Sequence, residues 1–191
     1  MKKIVGNTIE LKPLKREDLD IIAPAWDEFM YIPFSDRSKD VFYWGSNNTN
    51  SMFNWDALEG KITLCIYKNN SPIGLTIIDV NPEFEFAEFR FSILLPEHRG
   101  AGVYSELNIL RHKFAYSADT VLRTKCRILH DSAPQQNTVQ ALYTRVELVE
   151  TTPPGKTFTH SYITRDEWEA WINHEDQIQK LNSIFEVVDD I

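Results

Sequence analysis

Cysteine is nearly missing. Cys65 and Cys126 are all that 191 residues carry, and each lies inside an apolar run. That argues against a disulfide framework and a zinc site, and both thiols read as small buried hydrophobes. Long apolar runs are lacking too. Residues 1–6 turn polar too early for a signal peptide, and nothing approaches the ~20 apolar residues of a membrane span. A reducing cytoplasm, with no membrane partner, is the expectation. Positive charge is in deficit: 20 Lys and Arg against 28 Asp and Glu leave −8. Such a chain has no general attraction for nucleic acid or anionic lipid, and suits a cationic partner better. The five histidines show no ligand spacing, so no metal is expected. There is no internal repeat and no low-complexity linker.

What is present fits one domain with a real core: 42% of residues are hydrophobic and 12% aromatic. Glycine is scarce, seven in all, so its placement is informative. Two of the seven bracket Ala101 in Ser92-Ile93-Leu94-Leu95-Pro96-Glu97-His98-Arg99-Gly100-Ala101-Gly102-Val103-Tyr104-Ser105-Glu106-Leu107. This reads as an apolar strand, a proline stop, a glycine turn and the start of a helix. Gly100 and Gly102 remove Cβ atoms where a turn brings successive backbone N–H groups toward a ligand, and the helix adds its positive dipole end. The result is a seat for an anion such as pyrophosphate.

Arg99-Gly100-Ala101-Gly102, entered through Pro96-Glu97-His98, resembles the acetyl-CoA-binding motif of the GCN5-related N-acetyltransferase (GNAT) superfamily. That motif is Arg or Gln, two residues, Gly, one residue, then Gly or Ala. Arg99 and Gly102 fill the first two places, and Tyr104 departs from the third. The resemblance, nearest in flavour to ribosomal-protein-type N-acetyltransferases, covers residues 8–163. It implies an α/β fold with a mixed, twisted sheet of six or seven strands flanked by helices. It also implies acetyl-CoA held by Ile93, Leu94, Leu95, Arg99, Gly100, Ala101, Gly102, Val103 and Tyr104. The diphosphate would rest on the backbone of 100–104 with Arg99 reinforcing. The thioester carbonyl would meet an N–H near Leu94 or Leu95, where the family's strand splays from its parallel neighbour.

Two further segments extend the likeness. Ala87-Glu88-Phe89-Arg90-Phe91 resembles the glutamate-bearing strand of that group, with one residue more before Pro96, and this implies Glu88 as the base, beside Arg90. Ala141-Leu142-Tyr143-Thr144-Arg145-Val146 looks like the late helix whose tyrosine protonates the departing thiolate. Tyr143 suits that task, a phenol of pKa ~10 facing a thiol of ~8.5. Glu147-Leu148 stands where a glycine–aromatic pair is usual, and Asn137 lies one residue off its customary place. The implied function is direct N-acetylation, in a ternary complex, of a primary amine: a protein N-terminus, a lysine, a polyamine or a small amine. The departures keep open a catalytically silent module of the same fold that binds CoA or a protein partner.

In chain order, residues 7–14 read as a strand, and a helix with acidic first turn opens at Arg16, to be broken or kinked at Pro24. Residues 33–60 lose their period and read as a loop whose rings, Phe42, Tyr43, Trp44, Phe53 and Trp55, line an acceptor pocket or fill core. Residues 62–67 and 73–80 form a hairpin. The long strand 84–95 carries Ala87, Phe89, Phe91 and Ile93 on one face, and Phe86, Glu88, Arg90, Ser92 and Leu94 on the other. Val103, Leu107, Leu110 and Phe114 stripe a helix ending near Ser117. A strand follows with Leu122, Thr124, Cys126 and Ile128 against Arg123, Lys125 and Arg127, a basic face balancing local acid. A helix over 135–145, strands at 148–151 and 157–163, and a capping box from Thr164 to Glu167 complete the domain of residues 1–163. In the extension 164–191, Trp171, Ile178 and Phe185 repeat at seven, as do His174, Leu181 and Val188. This predicts an amphipathic helix packed on its own domain or joining two copies in a homodimer.

Overall fold

The alternating stretches build one sheet. The computed structural model describes residues 2–30, 35–129, 145–152, 155–174 and 184–189. Its strands are β1 (Lys2–Val5), β2 (Glu10–Pro13), β3 (Gly60–Lys68), β4 (Ser71–Asn81), β5 (Phe86–Leu94), β6 (Arg123–Leu129), β7 (Arg145–Thr151), β8 (Thr157–Thr164) and β9 (Glu186–Asp189). They lie in the order β7-β8-β6-β5-β4-β3-β2-β1-β9. Among the described residues every neighbouring pair is antiparallel except β5 with β6. The class is the mixed α/β sheet expected, with more strands than six or seven. The extra ones, β1 and β9, are four residues each and pair with one another at the edge. Elements that short, with Ile4 the one fully buried side chain of β1, carry too little alternation to be read.

Among the described residues four helices cover the faces: α1 (Arg16–Met30), α2 (Asp36–Met52), α3 (Val103–Tyr116) and α4 (Arg165–Ile172). None of the described helices is long and apolar enough to cross a membrane. α1 is not broken at Pro24, which lies inside it. Burial of Leu19, Ile22 and Ala25 outweighs the lost backbone bond, a cost of about 3 kcal/mol. α2 occupies what read as loop. Ser35 caps it, its Oγ accepting from the Ser38 N–H at 3.2 Å, and Asn50 fastens it to β3. The Asn50 amide donates to the Thr63 carbonyl at 2.9 Å and accepts from the Thr63 N–H at 2.7 Å. Most of the rings of that stretch pack inward. Phe42 meets Trp26 at 4.8 Å, Phe53 and Trp55 meet Phe114 at 6.0 and 5.9 Å, and Trp44 stays 70% exposed.

The two sheet faces hold separate apolar layers. Leu64, Ile66, Ile78, Val80, Ala87 and Phe89 pack with the expected α3 stripe of Val103, Leu107, Leu110 and Phe114 and with Trp168 of α4. Cys65 and Leu75 face the other way, toward Leu19 and Ile22 of α1 and Phe42 and Tyr43 of α2. Two of the three basic residues of β6 are balanced as anticipated, Lys125 with Glu147 at 2.9 Å and Arg127 with Glu150 at 3.1 Å; Leu122 precedes the strand and is 47% exposed. The Thr164–Glu167 capping box is formed in full. The seven-residue repeat, however, does not make one helix: α4 ends at Ile172, and Glu186–Asp189 returns as a strand against β1. Ile178 and Leu181 lie outside the described residues, and Phe185 packs on the core.

Candidate functional site

β5 carries one residue more than its partner strand requires. Thr76 of β4 lies opposite Ser92 and Ile78 opposite Phe89, so Arg90 and Phe91 together face Ile77. Such a bulge inverts the alternation beyond it. Ala87, Phe89 and Leu94 share the α3 face, and Ser92 joins them by bonding Arg111 of α3 at 2.7 Å. Ile93 lies on the α1 face with Ala25. This corrects the strict alternation, which put Ile93 with Ala87 and Phe89.

Directly after the bulge the sheet forks. β5 and β6 pair in parallel from Phe86 with Arg123 to Phe89 with Cys126. β5 then follows β4 to Leu94 while β6 follows β8 to Leu129. The Leu95 N–H donates to the Ile73 carbonyl at 2.9 Å, which removes Leu95 from the two candidate amides. Strand groups alternate edges, so Leu94 aims its own N–H and carbonyl at the edge β6 has left. The carbonyl accepts from Arg99 Nε at 3.0 Å, and the N–H looks into the fork. Gly74, opposite Leu94, makes room for this arrangement: a Cβ there would lie 2.1 Å from the Ile93 carbonyl oxygen. A lone glycine inside an apolar strand is the signal that could have revealed it.

The glycine turn crowns the fork. A 3₁₀ turn, Pro96–His98, is closed by bonds from the His98 N–H to the Leu95 carbonyl and from the Arg99 N–H to the Pro96 carbonyl. Gly100 and Gly102 both have φ of +78°, and nothing lies within 4 Å of a Cβ added at either. Gly102 is the N-cap of α3 and offers no side-chain cap. The first N–H groups of a helix have no intrahelical partner; the Glu106 N–H is bonded back to the Gly102 carbonyl at 3.1 Å. Positive-φ residues leading into a helix turn successive amides toward one point, an anion seat. Tyr104 does not cover it: the ring is half-buried against the core, 5.8 Å from the Arg111 guanidinium.

Glu88 stands on the opposite face from α3, in register between Asp79 and Lys125. Its carboxylate is 3.5 Å from Arg90, which Asp79 holds more closely at 2.7 Å. Tyr143 and Asn137 lie outside the described residues. Arg145 and Val146, expected at the end of a helix, belong to β7. Sequence reasoning missed Arg111. It is 4% exposed; its Nη1 donates to Ser92 Oγ at 2.7 Å and Thr76 Oγ1 at 3.3 Å, and its Nη2 to Asn108 Oδ1. The signal was available: a charged residue four positions after Leu107 interrupts the apolar stripe. Its neighbour His112 is fully buried, stacked on Trp168 at 4.5 Å, and donates from Nδ1 to the Asn108 carbonyl at 2.7 Å. Burial holds its pKa down at about 3, so the ring is neutral.

No family model and no curated protein matches the sequence. Solved structures do match in shape. A nucleotide-linked sugar GNAT, FdhC in its apo form, superposes with a TM-score of 0.69 at 12% identity, over 92% of this chain and 97% of its own. A chimera of the spermidine N-acetyltransferase SpeG from Vibrio cholerae with hSSAT gives 0.68 at 18% identity, over 86% and 99%. RimJ from Mycobacterium smegmatis, in complex with CoA-disulfide, gives 0.68 at 11% identity, over 87% and 88%. Identities this low speak for a shared fold.

Proposed function

We propose that this chain, which has the GNAT acetyltransferase fold, transfers an acetyl group from acetyl-CoA to a primary amine. The observation that carries the reading is the fork itself: an outward-facing Leu94 N–H beneath an open glycine seat on one continuous edge. The seat fits a diphosphate, because its two glycines leave the amides uncovered. Arg99 braces the seat by bonding the Leu94 carbonyl. In the proposed reaction the Leu94 N–H polarises the thioester carbonyl, the amine nitrogen bonds to the carbonyl carbon, and the carbon–sulfur bond breaks. Glu88 receives the ammonium proton before the attack, Tyr143 supplies one to the departing thiolate, and the second nitrogen proton, shed as the amide forms, restores the phenol.

The acceptor is a cationic amine, whether protein N-terminus, lysine, polyamine or small molecule. The support is the charge of −8 and the carboxylates of Glu88 and Asp79 on the α1 face. Among the shape neighbours, SpeG is a spermidine N-acetyltransferase and RimJ is in complex with CoA-disulfide. We assign the activity to the cytoplasm, where free Cys65 and Cys126 persist. The test is thermal unfolding with CoA, followed by thiol release from acetyl-CoA across an amine panel. Stabilisation together with amine-dependent release is expected. Stabilisation without release for any amine would overturn the enzyme in favour of a silent binding module, and absence of both would overturn CoA binding as well.

A further inference from the structure

Among the described residues, Arg111 holds a guanidinium in the core without a counter-ion. No described carboxylate pairs with it, its three acceptors are neutral oxygens, and its Nε is sealed from solvent with no hydrogen-bond partner. Burying a cation on these terms is costly unless an anion completes the site. The guanidinium also stands at a particular place. It lies 4.6 Å from the ring of Phe89, the last β5 residue paired with β6, and bonds Ser92, the first past the bulge. Cys126, the last β6 residue paired with β5, feels its charge: burial drives that thiol up to about 12, and Arg111 acts in the opposite sense. Three residues that frame the point where the strands part thus surround one unsatisfied cation.

We propose that Arg111 binds a carboxylate carried on the acyl group of the coenzyme A thioester. The fork then takes acetyl as its smallest occupant and a short dicarboxylic acyl group, of the malonyl or succinyl kind, in preference. The inference rests on reading the fork as an acyl-CoA site. Arg111 follows the first residue of α3 by eight positions, a rise of about 12 Å, too deep to serve a diphosphate at the glycine seat. It is on the α3 side of the sheet, whereas Glu88 and the expected amine lie on the α1 side, so the carboxylate belongs to the donor. A planar guanidinium already tethered through Nη1 and Nη2, with Nε spare, suits a carboxylate better than a compact ammonium would.

The test uses the full chain and begins with thermal unfolding in CoA. Rates of thiol release are then compared for acetyl-, propionyl-, malonyl- and succinyl-CoA with one amine, in the wild type, Arg111→Lys and Arg111→Met. A carboxylated donor is expected to exceed acetyl-CoA at least tenfold in kcat/KM, with propionyl-CoA showing no such gain. That ratio should fall below one in Arg111→Met and be partly kept in Arg111→Lys. A merely structural arginine would lower stability and leave the donor ratio where it was. Preference for acetyl-CoA in the wild type overturns the proposal even if Arg111→Met does not fold. So does an unchanged ratio in the variants, or a loss that follows carboxylate-bearing amines instead of donors. Absence of stabilisation by CoA refutes the acyl-CoA reading itself, and this proposal falls with it.

Discussion

His112 makes the core of this protein acid-sensitive by a calculable amount. The ring is sealed between Trp168 and Phe89, 4.5 and 4.8 Å away. Burial first, then the neighbouring Arg111 charge, lower its pKa from 6.5 to about 3 against the opposing pull of the Asn108 carbonyl. The folded state therefore refuses a proton that the unfolded chain accepts below pH ~6.5. Stability is complete above that value and falls with pH until the folded group itself titrates near 3. One proton corresponds to about 1.4 kcal/mol per pH unit, so roughly 3 kcal/mol is lost between pH ~6.5 and ~4.5. Against a total of about 5–15 kcal/mol that is a large share. His112→Phe keeps an aromatic ring in the stack and deletes the titration. Urea unfolding of both proteins between pH ~7 and ~4.5 isolates the term, because the carboxylates act alike in each. The wild-type stability minus that of the variant should shrink by about 1.4 kcal/mol for each unit below pH ~6. A difference that stays constant with pH would refute a neutral buried imidazole, whatever the packing offset of the new ring.

Two other expectations concern the fork. Gly74→Ala would set a methyl 2.1 Å from the Ile93 carbonyl; backbone must move, and a loss of about 2–3 kcal/mol in thermal unfolding is expected, with weaker CoA binding as Leu94 shifts. Glu88→Gln should lower kcat about 10²–10⁴-fold with the melting temperature nearly unchanged, since its ion pair with Arg90 is partly exposed and long, 3.5 Å; unaltered kcat in steady-state assays would remove Glu88 from the chemistry.

How much of this was legible in the sequence depended on whether local pattern or distant contact decided the outcome. The α3 stripe, the β3–β4 hairpin and the Thr164–Glu167 cap are local and were readable. The hairpin turns on Asn69 and Asn70, both at positive φ, as a two-residue connection demands. α2 was hidden because its stability is borrowed: an asparagine-rich, polar segment is held by Ser35 at one end and by Asn50 on Thr63 at the other. A break at Pro24 was avoided for the same reason, as tertiary burial of its neighbours overrode a local veto. β9 required the chain to return from residue 186 to Lys2–Val5, which no periodicity encodes. Of the site, the glycine seat was visible as residue types; the amide that faces the fork was not, because only the bond from Leu95 to Ile73 tells Leu94 from Leu95.

The bulge joins these pieces into one cause. The interval from Glu88 to Pro96 is one residue longer than the pattern it resembles, and the structure has its surplus residue at Arg90 and Phe91. With unbroken alternation, Ser92 and Leu94 would point their side chains to the α1 face and Ile93 would meet α3. Arg111 would then find an aliphatic chain where it now has the Ser92 hydroxyl at 2.7 Å, and its burial would be harder still to sustain. The extra residue also bends β5 away from β6 just past Phe89 and Cys126, since bulged strands twist more strongly. A guanidinium at the base of the fork and an amide on its edge are thus two consequences of one inserted residue. Removing that residue should abolish both together, because the shift that closes the gap also takes the hydroxyl from Arg111.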